Sequence, residues 1–132
     1  MDLPHGFEPL VRASPVSELI GPVYSKGVGA NFIIGLRVSE KLCNIRGTMH
    51  GGMVATVADM ALGYALAWTS QPPTPMVTAS LTIDYAGTAE VGDWIESRVD
   101  IQKKGAKLAF ANCYIVKGEQ RIAHASGVFF RL

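Results

Sequence analysis

Between Asn44 and Trp68 the chain reads NIRGTMHGGMVATVADMALGYALAW, and no other stretch restricts the fold as much. From Met53 to Trp68 nearly every residue is apolar and helix-compatible, and the apolar character continues all round the helix. A helix of that kind is buried against other parts of a fold rather than laid on its surface. At about 16 residues it is short for a bilayer, and a carboxylate, Asp59, sits in its middle. At helical spacing Gly52, Thr56, Asp59 and Gly63 fall on one stripe, at i, i+4, i+7 and i+11. The stripe predicts that something approaches this face closely and meets Asp59.

Ahead of the helix stands Gly47-Thr48-Met49-His50-Gly51-Gly52. Two glycines at a helix start let a backbone or ligand come close, and the first turn offers unpaired N–H groups. With the positive end of the helix dipole, such groups can hold a carbonyl oxygen that gains negative charge in a transition state. Asp59 lies too far into the helix to be a cap. An ionised carboxylate in apolar surroundings is costly, so it is expected to be paired, hydrogen-bonded or functional.

The rest of the chain frames this stretch. One domain over 1–132 suits the length, and a core can form because 48% of the residues are hydrophobic. A formal charge of +1 gives no broad field for nucleic acid or anionic lipid, so neither is expected as a partner. The opening MDLPHGFEPLVR has no apolar core of the signal-peptide kind. Cys43 and Cys113 suggest no disulfide framework, and the expected compartment is the reducing cytoplasm. His5, His50 and His124 lack ligand spacing, so no metal is expected.

Residues 1–21 read as an arm followed by a short helix, opened by Ser14-Pro15, with Glu18 placed as in a capping box and an end near Gly21-Pro22. Val23–Lys26 reads as a short strand, Gly27–Gly29 as a turn and Phe32–Val38 as an alternating strand. Gln71-Pro72-Pro73-Thr74-Pro75 stops the long helix. Four strand-like runs follow: Val77–Tyr85, Trp94–Lys103, Lys107–Val116 and Arg121–Phe130, with turns between them that predict antiparallel neighbours. In the first run Val77, Ala79, Leu81, Ile83 and Tyr85 share one face, and Thr78, Ser80, Thr82 and Asp84 the other. One buried helix and a series of long strands predict an α+β domain whose curved antiparallel sheet wraps the helix.

The order Asn44, His50-Gly51-Gly52, Asp59 resembles the signature of the hotdog-fold acyl-CoA thioesterases of the PaaI-like group, and the likeness extends from about Val23 to the C-terminus. The resemblance implies a sheet of five to six strands around the helix and hydrolysis of an acyl- or aryl-CoA thioester to free acid and coenzyme A. Coenzyme A is then part of the substrate, and no cofactor is implied. It also implies a homo-oligomer, a dimer or a dimer of dimers, with the active site at the dimer interface. Asp59 would be general base or nucleophile. The Gly51 N–H would polarise the carbonyl, and His50 would bond near the thioester or position the loop. Asn44 would act from the subunit opposite Asp59, although an Asn there can also simply brace its own turn. Thr78 stands where the family often carries a hydroxyl that bonds the water or the acid, though strand alternation allows an outward hydroxyl equally. Lys103, Lys104 and Lys107, around a turn, together with Arg121, are the candidates for the coenzyme A phosphates. The rival reading is a non-catalytic acyl-CoA-binding module of the same fold. A carboxylate at the acyl carbonyl argues against it.

Overall fold

In a computed structural model, which describes residues 2–132, the apolar stretch forms helix α2 over Gly51–Ala67. It begins two residues before the apolar run because His50 caps it, with extended backbone and its ring Nδ1 accepting the Gly52 N–H at 2.9 Å. It ends before the proline-rich link, where the Thr74 N–H takes up the Ala67 carbonyl. The short helix α1 covers Pro15–Ile20. Its capping box pairs Ser14 with Ser17 rather than with Glu18, since Ser17 occupies the third helical position and Glu18 lies one beyond it.

Seven strands make one antiparallel sheet: β1 Glu8–Pro9, β2 Val23–Lys26, β3 Ile33–Arg37, β4 Met76–Tyr85, β5 Trp94–Lys104, β6 Leu108–Lys117 and β7 Gln120–Arg131. The strand added to the expected five to six is β1, a two-residue pairing of the N-terminal arm with β2. The order across the sheet is β1-β2-β3-β5-β6-β7-β4. The turns joining β5, β6 and β7 are hairpins as expected, but the link from β4 to β5 is not. It crosses the sheet, leaving β4 beside β7 and β5 beside β3. Residues 86–93 make the crossing, and they are anchored on the way. Ala86 and Gly87 N–H groups bond the Ile122 carbonyl, and the Ala89 carbonyl accepts the Met49 N–H.

The inner face of α2 sets the core. Val54, Val57, Ala58, Ala61, Leu62, Ala65 and Leu66 are buried at helical spacing against a sheet face that includes Ile34, Leu36, Ile95, Ile115 and Ile122. Each Val, Leu or Ile among them contributes about 1.5–3 kcal/mol by its burial, and each Ala less. Gly127 in β7 permits the close fit, because a Cβ there would stand 2.8 Å from Leu62 Cδ1. The opposite face of α2 departs from the expectation of all-round burial. Met53, Thr56, Asp59, Met60, Gly63 and Tyr64 are only half-buried and Gly52 is exposed, so the small-residue stripe is only partly covered among the described residues.

Candidate active site

Asp59 opens into a cleft of about 350 Å³ that runs along α2 towards Trp68. The cleft is walled by the helix on one side and by the start of β4 on the other. One carboxylate oxygen, Oδ1, accepts the Thr78 hydroxyl at 2.6 Å, and Oδ2 has no partner among the described residues. Thr56, the neighbour one turn back, does not serve Asp59, since its hydroxyl bonds the Gly52 carbonyl at 2.9 Å.

Thr78 reaches the acid because of an irregularity that alternation conceals. The pairing of β4 with β7 shifts between Thr78 and Ser80, so Ala79 is an extra residue in the strand. A bulge of this kind reverses the parity of side chains on its two sides. Thr78 therefore shares the helix-facing side with Leu81, Ile83 and Tyr85, not the outer side with Ser80 and Thr82.

A half-buried carboxylate with a single hydroxyl partner contributes little to the fold, and an amide of the same shape can accept the same bond. Asp59→Asn is therefore expected to leave the melting temperature unchanged or slightly raised at neutral pH, measured at one protein concentration because association shifts the midpoint. A clear fall with the oligomer intact would make Asp59 a structural residue.

At the helix start, the first-turn donors are taken up one by one. Gly52 N–H goes to the His50 ring, and Met53 and Val54 N–H go to the His50 carbonyl. Among the described residues the Gly51 N–H has no acceptor. It stands at the positive end of the helix, where an oxyanion is favoured. With Nδ1 accepting, the neutral His50 ring carries its proton on Nε2, an outward donor on an exposed side chain.

Tyr85 is the residue of this loop's surroundings that sequence reading misses. Its hydroxyl donates to the Gly51 carbonyl at 2.6 Å, and its ring lies 3.3 Å from where a Gly51 Cβ would be. The peptide after Gly51 is thus held at both ends, its oxygen by Tyr85 and its N–H by His50. The only sequence signal is a tyrosine closing an apolar face. Tyr85→Phe is expected to lower kcat roughly threefold to tenfold, the scale of one hydrogen bond, with KM nearly unchanged. Unchanged kcat would remove Tyr85 from the site.

Asn44 is occupied with its own loop. Its Oδ1 accepts the Arg46 and Thr48 N–H groups at 2.9 and 3.3 Å, and its Nδ2 donates to the Thr48 hydroxyl at 2.9 Å. It is not among the residues lining the cleft, which leaves one amide hydrogen for any contact outside the loop. Lys103, Lys104 and Lys107 are exposed together at the β5–β6 hairpin. Arg121 does not join them. It pairs with Val116 at the other end of β6, its guanidinium 3.9 Å from the centre of the Tyr114 ring. None of the four lines the cleft. Cys113 offers no rival nucleophile, because burial pushes its thiol up to about 12. Among the described residues, no helix is long and apolar enough to cross a membrane.

The two chemical groups of the site are far apart in one chain. Asp59 is eight residues beyond Gly51 on the same helix, about 12 Å along its axis. A single carbonyl cannot touch both.

The family model described as the thioesterase superfamily matches residues 46–124. A Pseudomonas aeruginosa protein, provisionally named an esterase, is 45% identical over 130 residues, 98% of this chain and 97% of its own length. Acyl-coenzyme A thioesterase 13 of Mus musculus is 36% identical over 80 residues, 61% of this chain and 56% of that relative. The Escherichia coli PaaI protein from the phenylacetic acid degradation operon has a TM-score of 0.82 at 19% identity, covering 90% of this chain and 85% of that one. The last likeness is one of fold.

Proposed function

The chain belongs to the thioesterase superfamily and is a thioester hydrolase of hotdog fold, and we propose that it hydrolyses acyl- or aryl-CoA thioesters at a site shared by two copies. The observation that carries this reading is the state of Asp59, anchored through one oxygen and open through the other in a cleft that holds no other carboxylate among the described residues. A carboxylate so placed can take a proton from water as the water oxygen attacks the thioester carbonyl carbon. The Gly51 N–H of a second copy then holds the oxyanion, the C–S bond breaks, and coenzyme A leaves with the proton that Asp59 had taken. Thr78 orients the acid, and His50 and Tyr85 fix the peptide beside the oxyanion donor. We favour this general-base route over direct attack by Asp59.

Two features support the second copy. The stripe on α2 is only partly covered, with Gly52 exposed and Thr56, Asp59 and Gly63 half-buried. Beside it, β4 is an edge strand of 10 residues whose outer edge is unpaired and which carries the exposed apolar side chains Val77 and Tyr85. An edge of that length is ordinarily covered. The phosphates of coenzyme A stay in water, and the exposed hairpin of Lys103, Lys104 and Lys107 is the proposed place for them.

The test is hydrolysis of a panel of acyl- and aryl-CoA esters, read as released thiol. Release from none of them would defeat the reading. A single turnover in ¹⁸O-water detects a nucleophilic Asp59 whose anhydride is hydrolysed at the aspartyl carbon, since label then enters Asp59 rather than the acid product. Trapping of the acyl-enzyme covers hydrolysis at the acyl carbon.

A further inference from the structure

The cleft that begins at Asp59 ends at a cation. Between Asp59 and the far end its walls are mainly hydrocarbon and aromatic, with Met60, Ala67, Met76 and Phe129 along its length, and the hydroxyls of Thr74 and Thr78 are bonded to Ser70 and Asp59. At the far end Arg12, from the N-terminal arm, lines the same space beside Tyr64 and Trp68. Three observations mark Arg12 as held there. Its backbone is left-handed, with φ of 61°, the one such non-glycine residue among those described. That conformation is uncommon for a long side chain and persists where surrounding structure imposes it. Its carbonyl accepts the Tyr64 hydroxyl at 2.8 Å, which ties the arm to α2. Its guanidinium lies 5.9 Å from the centre of the Trp68 ring.

No carboxylate pairs with this guanidinium among the described residues, so its donors are available to a ligand. Burial raises the Tyr64 hydroxyl above its ordinary value, and the charge of the exposed Arg12 nearby pulls it partly back.

Resting on the thioesterase reading above, we propose that the cleft takes the acyl chain and that Arg12 binds an anionic group at its distal end, making ω-carboxyacyl thioesters the preferred substrates. The predominance of apolar wall favours an acyl chain over the pantetheine arm with its two amides. The length agrees as well. From Asp59 to Trp68 the helix rises about 13 Å, room for an eight-carbon chain and the reach of an arginine.

The test compares suberyl-CoA with octanoyl-CoA, which match in length and differ in one terminal carboxylate. The wild-type protein is expected to favour suberyl-CoA in kcat/KM by roughly tenfold, the scale of one charge-assisted hydrogen bond. In Arg12→Gln the ratio should fall to about one or below, and Arg12→Lys should recover part of it. The tether to Tyr64 uses the backbone carbonyl of Arg12, so it survives either substitution. If the two chains are hydrolysed equally by the wild type, or if Arg12→Gln lowers both alike, the inference fails and the thioesterase reading stands. The second of those results would put Arg12 on the coenzyme A phosphates instead. Hydrolysis of no acyl-CoA at all would take down both.

Discussion

Asp59→Asn is expected to lower turnover by several hundred-fold or more, the scale of losing a general base or nucleophile. The substitution preserves shape. Its side-chain oxygen can still accept the Thr78 hydroxyl, which bonds Asp59 at 2.6 Å in the wild type. What disappears is the basicity of the open oxygen and its capacity to attack a carbonyl. The cleft keeps its walls, so KM should stay within a few-fold while kcat collapses. That division distinguishes an interaction made in the transition state from one made equally with bound substrate. It also decides against the non-catalytic acyl-CoA-binding module, for which Asp59 would be an incidental polar group and acyl-CoA would bind without release of thiol. Near-normal turnover in a correctly folded Asp59→Asn protein would end the general-base route and the nucleophilic route together.

What the sequence discloses about this site is what depends on neighbours along the chain. The helix, its glycine-flanked start and the acid within it are legible because helical periodicity and capping act over a few residues. The long strands are legible for the same reason, from Val77–Tyr85 onwards. Properties set by distant partners are not. That β4 lies beside β7 rather than β5 depends on how residues 86–93 are caught by Ile122 and Met49, and no local pattern contains it. The bulge at Ala79 is equally silent, since the run looks like perfect alternation and only pairing with Val128 and Phe129 reveals the extra residue. It decides the role of Thr78. Tyr85 and Arg12 meet α2 from 34 and 52 residues away, through hydrogen bonds to backbone carbonyls that carry no side-chain signature. Arg121 errs in the other direction. It is near the lysines in sequence, but the length of β6 carries it to the opposite end of the sheet.

Subunit mixing should recover activity from two inactive proteins. Asn44→Ala loosens the loop that ends at His50 and Gly51, whereas Asp59→Asn removes the acid. Both are expected to be inactive alone. In one chain Gly51 and Asp59 are about 12 Å apart along the helix, so the proposed site takes its oxyanion donor from one copy and its acid from the other. A mixed dimer then holds one site built from the intact loop of one subunit and the intact Asp59 of its partner. Its second site carries both changes. Random exchange of equal amounts makes about half of all dimers mixed, so activity should rise to about a quarter of the wild-type value. If both groups instead belonged to one chain, every site would retain one lesion and mixing would restore nothing. The exchange must be shown directly, for example by mass spectrometry of differently tagged subunits. Exchange without recovered activity would overturn the shared site, and a monomeric active enzyme would do the same. Recovery would show that Asp59 works with the loop of the partner subunit.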